Sequence, residues 1–301
     1  MKAEESFQAL SARDICVLAV GVTGSGKSTF INHLVDEEVP VGHLLSSETQ
    51  SPRAYEARPL CDRKVWFIDT PGLDDTSRND IDVILAIVGV LNELYARGVR
   101  IFGVLYFHNI STARFTGSSM KTRDLLMRIL GSSMSTALAV VTTFWDRLSN
   151  ADDGAARAEQ LMDDFFYGVL FGSSAHKLMF PFNPVDGATA RNIATTLLDR
   201  CGATTLVIQS EMVDHKLSFE ETSIYRYVRA DLLKVQEEYK KTLQTLLAEA
   251  QSAIEEKDAE FLAIFREEQS RYEQRSKELE HALDRLTRGT GTTQLERHME
   301  G

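Results

Sequence analysis

Strand-length apolar runs alternate with helix-length stretches through the first two-thirds of the chain. Ile15-Cys16-Val17-Leu18 is one such run, and after a glycine-rich turn Phe30-Ile31-Asn32-His33-Leu34-Val35 reads as a helix. Residues 36–51 are polar and irregular, and 54–60 regain strand character. Lys64-Val65-Trp66-Phe67-Ile68-Asp69 is an apolar run that ends in an acid and the breaker Pro71-Gly72. A polar stretch over 73–80 leads into a helix predicted for 81–96. Strands over 101–107, 137–142 and 178–182 then alternate with helices over 120–130, 155–170 and 188–198. Unbroken apolar strands separated by helices predict a mostly parallel sheet covered on both faces. Ligands of such sheets bind at the carboxyl ends of the strands.

The pattern changes after Gly202, because neither proline nor glycine occurs again before Gly289. Leu232, Val235, Tyr239, Leu243, Leu246, Ala250 and Ile254 keep the three- and four-residue steps of an amphipathic helix. Phe261, Phe265, Tyr272, Leu279, Leu283 and Leu286 continue more sparsely amid dense mixed charge. One very long helix and an antiparallel pair both fit. A strict coiled coil does not, because the apolar steps lapse between Arg266 and Leu279. The expected organisation is an N-terminal segment (1–12), an α/β domain (13–210), a helical extension (211–288) and a disordered tail (289–301). The extension either packs on its own domain or serves as an arm for a protein partner. Its balanced charge and lack of a basic face favour helix packing over membrane contact.

Composition narrows the class. A chain of 301 residues suits one large or two smaller domains, and a net charge of −11 disfavours a nucleic-acid partner held by phosphate neutralisation. Cys16, Cys61 and Cys201 have no metal-ligand spacing and read as apolar fillers or free thiols in a reducing compartment. With no secretory segment or membrane-length run, the sequence reads as a soluble cytoplasmic protein.

The chemistry lies in the turn after the first strand. Gly21-Val22-Thr23-Gly24-Ser25-Gly26-Lys27-Ser28-Thr29 contains Gly-x4-Gly-Lys-Ser between a strand and a helix, the P-loop spacing. Small residues let successive backbone N–H groups curl around phosphate oxygens, and the helix start turns its positive end toward them. Lys27 supplies a cation near the β- and γ-phosphates, and the Ser28 hydroxyl a ligand for magnesium. Asp69-Thr70-Pro71-Gly72 has Asp-x-x-Gly spacing at the end of another strand. There Asp69 can hold the ion and the Gly72 N–H can meet a γ-phosphate. Between the two motifs Ser46, Ser47 and Thr49 all offer hydroxyls, and Thr49 is the candidate to complete the magnesium shell. Thr142-Thr143-Phe144-Trp145-Asp146 ends a later strand. Guanine selection commonly uses Asn/Thr-Lys-x-Asp, whose aspartate accepts from N1–H and the exocyclic amine, a donor pair adenine lacks. Thr143 and Asp146 fit that pattern, while Phe144 replaces the lysine that covers the base. An aromatic ring can also cover a base, so guanine is favoured and ATP stays an alternative.

Together these stretches resemble translation-factor-related GTPases, above all the septin-like branch with its immunity-associated and chloroplast outer-envelope import members. The resemblance spans roughly residues 13–225. It is carried by Gly21 to Thr29, Asp69 to Leu73, Val104 to Ser111 with Arg114, and Val141 to Asp146. Glu211 to Leu217 with Glu221-Thr222 resembles the start of the C-terminal helix in fungal G-domain proteins related to the immunity-associated (AIG1-type) group. The resemblance implies a P-loop GTPase three-layer αβα sandwich with a six-stranded sheet, its second strand antiparallel, plus the helical extension. It further implies binding of GTP/GDP with Mg2+ and nucleotide-dependent homodimerisation across the nucleotide face. Phe182 and Asn183 are its candidates for further base contacts.

Leu73 stands where many small GTPases carry the glutamine that orients the attacking water. Slow intrinsic hydrolysis, rising with protein concentration if dimers form, is the expectation. Arg53, Arg78, Arg114 and His43 lie near the expected switches, although each alone reads first as a surface or capping residue. Three classes follow: a GTP-hydrolysing switch, a GTP-bound scaffold with negligible turnover, and an ATP-dependent P-loop enzyme.

Overall fold

The computed structural model describes residues 3–41, 51–72, 77–112, 116–131, 137–165, 178–185, 187–256 and 259–288. The chain divides into two compact units, Met1–Asp75 with Val83–Leu217, and Thr76–Asp82 with Ser218–Gly301.

The first unit is built on strands β1 (Ile15–Gly21), β2 (Arg53–Glu56), β3 (Val65–Asp69), β4 (Arg100–Asn109), β5 (Leu138–Thr143) and β6 (Met179–Pro181). They form one sheet in the order β2-β3-β1-β4-β5-β6, parallel except that β2 runs antiparallel to β3. Among these elements run helices α1 (Ala3–Gln8), α2 (Lys27–Asn32), α3 (Ser77–Ala96), α4 (Gly117–Leu130), α5 (Ala151–Gln160) and α6 (Gly187–Arg200). The six strands and the antiparallel second strand agree with expectation. Helix bounds move by a few residues, with α3 starting at Ser77 and α4 at Gly117. The predicted 155–170 helix is α through Gln160 and π-helical from Leu161 to Phe165. Its last five residues lie outside the described residues.

Every residue of β1, β3 and β5 is buried, as expected where helices cover both faces. On one face Val17, Ala19, Phe67, Leu105, Phe107, Ala139 and Val141 share a core with Phe30 and Ile31 of α2 and with Ile193 and Leu197 of α6. Gly103 allows the close approach of α6: a Cβ there would stand 2.7 Å from a Leu197 methyl. Phe30 packs edge-on against Phe107 and Phe182, each at 5.2 Å, and against Phe67 at 6.3 Å. A buried aromatic of this kind is worth about 3–5 kcal/mol against alanine, so α2 is firmly seated. The Lys27 end of α2 is seated with it.

The N-terminal segment carries structure that the sequence did not suggest. α1 lies along the edge strand β2, where the buried Ser6 hydroxyl accepts the Ala54 N–H at 3.1 Å and so covers part of a sheet edge. The Arg97 guanidinium donates to the carbonyls of Phe7, Gln8 and Leu10, satisfying acceptors that the end of α1 leaves open. Cys16, Cys61 and Cys201 are free thiols, and burial with the nearby Asp14 charge pushes Cys16 up to about 12.

The second unit resolves the open question about the extension. It holds two helices, α7 (Ser223–Glu256) and α8 (Ala259–Arg288), packed on one another, with Tyr239 and Tyr272 meeting edge-on at 5.8 Å. The long α7 begins at Ser223 after a 3-10 turn at Phe219–Glu221, whereas Glu211 to Asp214 belong to a preceding π-helical turn. Ion pairs such as Arg271–Glu267 and Arg275–Glu278 line exposed positions and add little stability each. Among the described residues no helix is long and apolar enough to cross a membrane.

Candidate functional site

The carboxyl ends of β1, β3 and β5 bring the sequence motifs together. At the end of β1, Gly21 sits where a Cβ would lie 2.6 Å from the Phe107 carbonyl oxygen and 2.7 Å from Ser25 Oγ. Gly24 and Gly26 take left-handed backbone, φ 72° and 95°, which turns the chain sharply into α2. Among the described residues nothing lies within 4 Å of a Cβ built on Gly24, whereas one on Gly26 would meet a Thr143 methyl at 3.2 Å. With only six residues, α2 contributes less dipole than the motif suggests. Loop amides and Lys27 must carry the charge.

Lys27 is buried, its ammonium donating to the Gly21 and Val22 carbonyls at 3.1 and 3.0 Å. The Thr23 and Ser25 hydroxyl oxygens are buried without a hydrogen-bond partner among the described residues. Orphaned hydroxyls are costly unless something else meets them, and a phosphate oxygen suits Thr23. Thr29 is half-buried in the first turn of α2.

The Ser28 hydroxyl donates to Asp69 Oδ2 at 2.8 Å, joining α2 to the end of β3. One hydroxyl and one carboxylate, both hard oxygen donors, fit magnesium completed by phosphate oxygens and water. The Thr70 hydroxyl donates to the Ala19 carbonyl at 2.7 Å and ties β3 to β1. Beyond it Gly72 presses on the P-loop, where an added Cβ would stand 2.2 Å from the Thr23 nitrogen.

On the other side of the P-loop, the buried Thr143 hydroxyl donates to the Ser25 carbonyl at 2.9 Å, with the His108 carbonyl at 3.2 Å as alternative acceptor. Thr143 therefore fixes the end of β5 to the phosphate loop. Trp145 Nε1 donates back to Thr142 at 3.0 Å to Oγ1 and 3.2 Å to the carbonyl. Between these anchors Phe144 adopts φ 59°, ψ 37°, a left-handed conformation that costs a bulky residue about 1–3 kcal/mol. Its half-buried ring carries the Arg147 guanidinium over one face at 4.2 Å. Asp146 is exposed in the 3-10 turn Trp145–Arg147. Beneath the loop, His108 is buried and desolvation lowers its pKa to about 4, keeping the ring neutral.

Other candidates separate. Thr49, Ser46, Ser47, His43, Leu73 and Arg114 lie outside the described residues, as does the tail 289–301. Arg78 falls in the first turn of α3. Arg53 starts β2 opposite Asp69, ion-paired with Glu37 and stacked over the Tyr55 ring at 5.0 Å, which supports its reading as a structural surface residue. Phe182 is a core residue against Phe30 and His33, so the candidate base contact there is replaced by a packing role. Asn183 is exposed and its side chain accepts the Val185 N–H at 3.0 Å in a tight turn. Pattern and spacing alone do not single out Arg147, Trp145 or Thr70. The signal for Arg147 is a cation three positions after an aromatic, but it acts only across a 3-10 turn that the pattern does not foretell.

A phosphate-loop sequence fixed to an Asp-x-x-Gly turn and to a Thr-x-x-Asp turn, at the carboxyl edge of this sheet, has the arrangement of the P-loop GTPase fold. Comparison with known proteins agrees with that class. Residues 16–97 match the family model described as 50S ribosome-binding GTPase. The chain is similar to GTPase Der of Rhodopseudomonas palustris, 26% identical over 208 residues, covering 66% of this chain and 43% of Der. It thus spans less than half the length of the curated relatives it matches. Among solved structures it is similar in fold to Toc33 from Arabidopsis thaliana with Mg2+ and GMPPNP, at 19% identity and TM-score 0.50, covering 64% of this chain and 88% of Toc33. A structure of the chloroplast translocon components atToc33 and psToc159, for which dimerisation is described as important for GTPase activity, matches at 17% identity and TM-score 0.50, covering 62% and 82%.

Proposed function

We propose that this protein is a guanine-nucleotide switch that hydrolyses GTP slowly with Mg2+ and changes its assembly state with the bound nucleotide. The observation that supports this reading is the Thr143 hydrogen bond to the Ser25 carbonyl, which joins the strand end leading into the Asp146 turn to the phosphate loop. In this reading Gly21, Thr23, Gly24, Ser25, Gly26, Lys27, Ser28 and Thr29 hold the phosphates, and Gly72 meets the γ-phosphate. Ser28, Asp69 and Thr49 serve the ion, while Thr143, Phe144 and Asp146 form the base side. Within the class, the motifs resemble the septin-like, AIG1-type branch.

Leucine at position 73 leaves the usual water-orienting side chain out, so the intrinsic rate is slow. The atToc33 and psToc159 structure, for which dimerisation is described as important for GTPase activity, supports a rate that depends on dimers. A protein partner on α7 and α8, the cytoplasm as compartment, and no nucleic-acid ligand complete the reading. The chain's charge of −11 supports the last of these. Titration of GTP and ATP against wild type and Asp146→Ala tests the base assignment. GTP affinity is expected to fall about a hundredfold while ATP stays weak throughout. Tight ATP binding that survives the substitution would sink it. Phosphate release measured across a wide protein concentration, with light scattering in GTP analogue and GDP, tests the switch. Specific activity is expected to rise with concentration, and a size change with background release would leave the GTP-bound scaffold instead.

A further inference from the structure

We propose that Trp145 and Gly154 are positioning residues that fix where Asp146 stands, so that the packing of α5 beneath the turn sets how tightly the site holds its nucleotide. This deepens the guanine-nucleotide reading above and rests on it. Three observations converge. The Trp145 indole is tied at its polar edge: Nε1 donates to the Thr142 hydroxyl and carbonyl, and that hydroxyl donates on to the Phe180 carbonyl of β6 at 3.3 Å. At its other edge the ring lies against α5. A Cβ built on Gly154 would stand 2.6 Å from Trp145 Cζ3 and 2.5 Å from a Leu148 methyl, so the missing side chain is what lets both residues sit on the helix. Third, glycine is a poor residue for the interior of a ten-residue helix, where alanine holds the backbone better. Gly154 is buried, and close packing accounts for it.

The seated residues, Trp145 and Leu148, bracket the turn, and the two between them, Asp146 and Arg147, are exposed. The Leu148 N–H donates to the Trp145 carbonyl at 3.2 Å and closes the turn. With both its ends pressed on Gly154, the turn holds its middle outward. The seat is itself braced, because Arg157 of α5 donates to the Ile110 and Ser111 carbonyls just beyond β4, each at 3.0 Å. A carboxylate that accepts two hydrogen bonds from one base edge has to be held within about 0.5 Å by residues that packing has locked. Two duties therefore separate within one short stretch. Thr143 ties the strand end to the phosphate loop, while Trp145 and Gly154 place the carboxylate from the side of α5.

Calorimetric titration of the full chain with GDP and inorganic tripolyphosphate, in wild type and in an Asp146→Ala background, tests this. Gly154→Ala is expected to weaken GDP about tenfold, and Trp145→Phe, which keeps a ring and loses the N–H, about threefold. Neither should change the binding of tripolyphosphate, which has no base. In the Asp146→Ala background neither should weaken GDP further, because the group they place is gone. Denaturation curves taken alongside check that each titrated variant is folded. Unchanged GDP binding in both variants overturns the proposal. Losses that persist after Asp146→Ala, or that tripolyphosphate shares, overturn it too, because they give the pair a purely structural role. Normal GDP binding by Gly154→Ala with Trp145→Phe impaired overturns the seat on α5. An Asp146→Ala protein that binds GDP as wild type does defeats the guanine reading itself, whatever the other two variants do.

Discussion

The phosphate loop and the base loop flank the same strand ends and both need left-handed backbone, yet they meet that need oppositely. Gly24 and Gly26 take it without a side chain, which leaves their amides open to an anion. Phe144 takes it with a large ring, and the chain accepts the strain. Their foundations differ as well. The phosphate loop leads into α2, wedged into the core by Phe30 among three other aromatic rings. The Phe144 turn is held by hydrogen bonds from the Thr143 and Trp145 side chains. The turn that keeps its amides open does without side chains and rests on apolar support. The turn that displays a ring is a strained residue held by polar anchors.

The contrast can be broken most forcefully at Phe30. Phe30→Ala should cost about 3–5 kcal/mol of stability by chemical denaturation, dwarfing any change at the base loop. A loss under about 1 kcal/mol would show that the wedge does not seat the loop. Lys27→Ala should weaken GDP and tripolyphosphate alike by about a hundredfold or more in calorimetry, with little change in melting temperature. Retained affinity would remove the phosphate loop from the site.

Acid sharpens the base-loop side. The buried neutral ring of His108 has its pKa lowered from 6.5 to about 4, so the folded protein refuses a proton that the unfolded chain accepts. Its stabilisation is fully present above about pH 6.5 and drains away as pH falls toward 4, by on the order of 3 kcal/mol. Denaturation curves between pH 7 and 4 should show that slope, and His108→Gln should flatten it. An unchanged slope in the variant would place the acid sensitivity elsewhere.

Smaller effects separate anchor from strain. Thr143→Val should cost about 1–2 kcal/mol, since it leaves the Ser25 carbonyl without its buried donor. Phe144→Gly should be about 1 kcal/mol more stable than Phe144→Ala, because glycine tolerates the left-handed turn. Equal melting temperatures for those two would mean that the backbone at Phe144 is not strained.

Much of the fold is legible in the chain itself, for definite reasons. The strands of the sheet are unbroken apolar runs, so their order of appearance already implies helices on both faces. The phosphate loop can be read because its chemistry is backbone chemistry, which demands glycine at fixed spacing. The base loop is harder. Thr143 and Asp146 stand out by type and spacing, but Arg147 meets Phe144 only through a local turn, and no periodicity encodes that. Phe182 misleads because an aromatic after the last strand looks the same whether it faces a ligand or Phe30. The covering of the β2 edge by α1 uses the Ser6 hydroxyl, in a segment with no repeating pattern. The extension's two helices cannot be told from one by pattern, because neither glycine nor proline separates the end of α7 at Glu256 from the start of α8 at Ala259.

Gly72 stands against Thr23 with no allowance for even a methyl group. That missing carbon makes the junction a feeler gauge between two loops. Whatever thickens it, such as a substituted side chain, has to be taken up by one loop yielding. The loop clamped from beneath by Phe30 is the worse candidate to give way, so Gly72 would be the side to move.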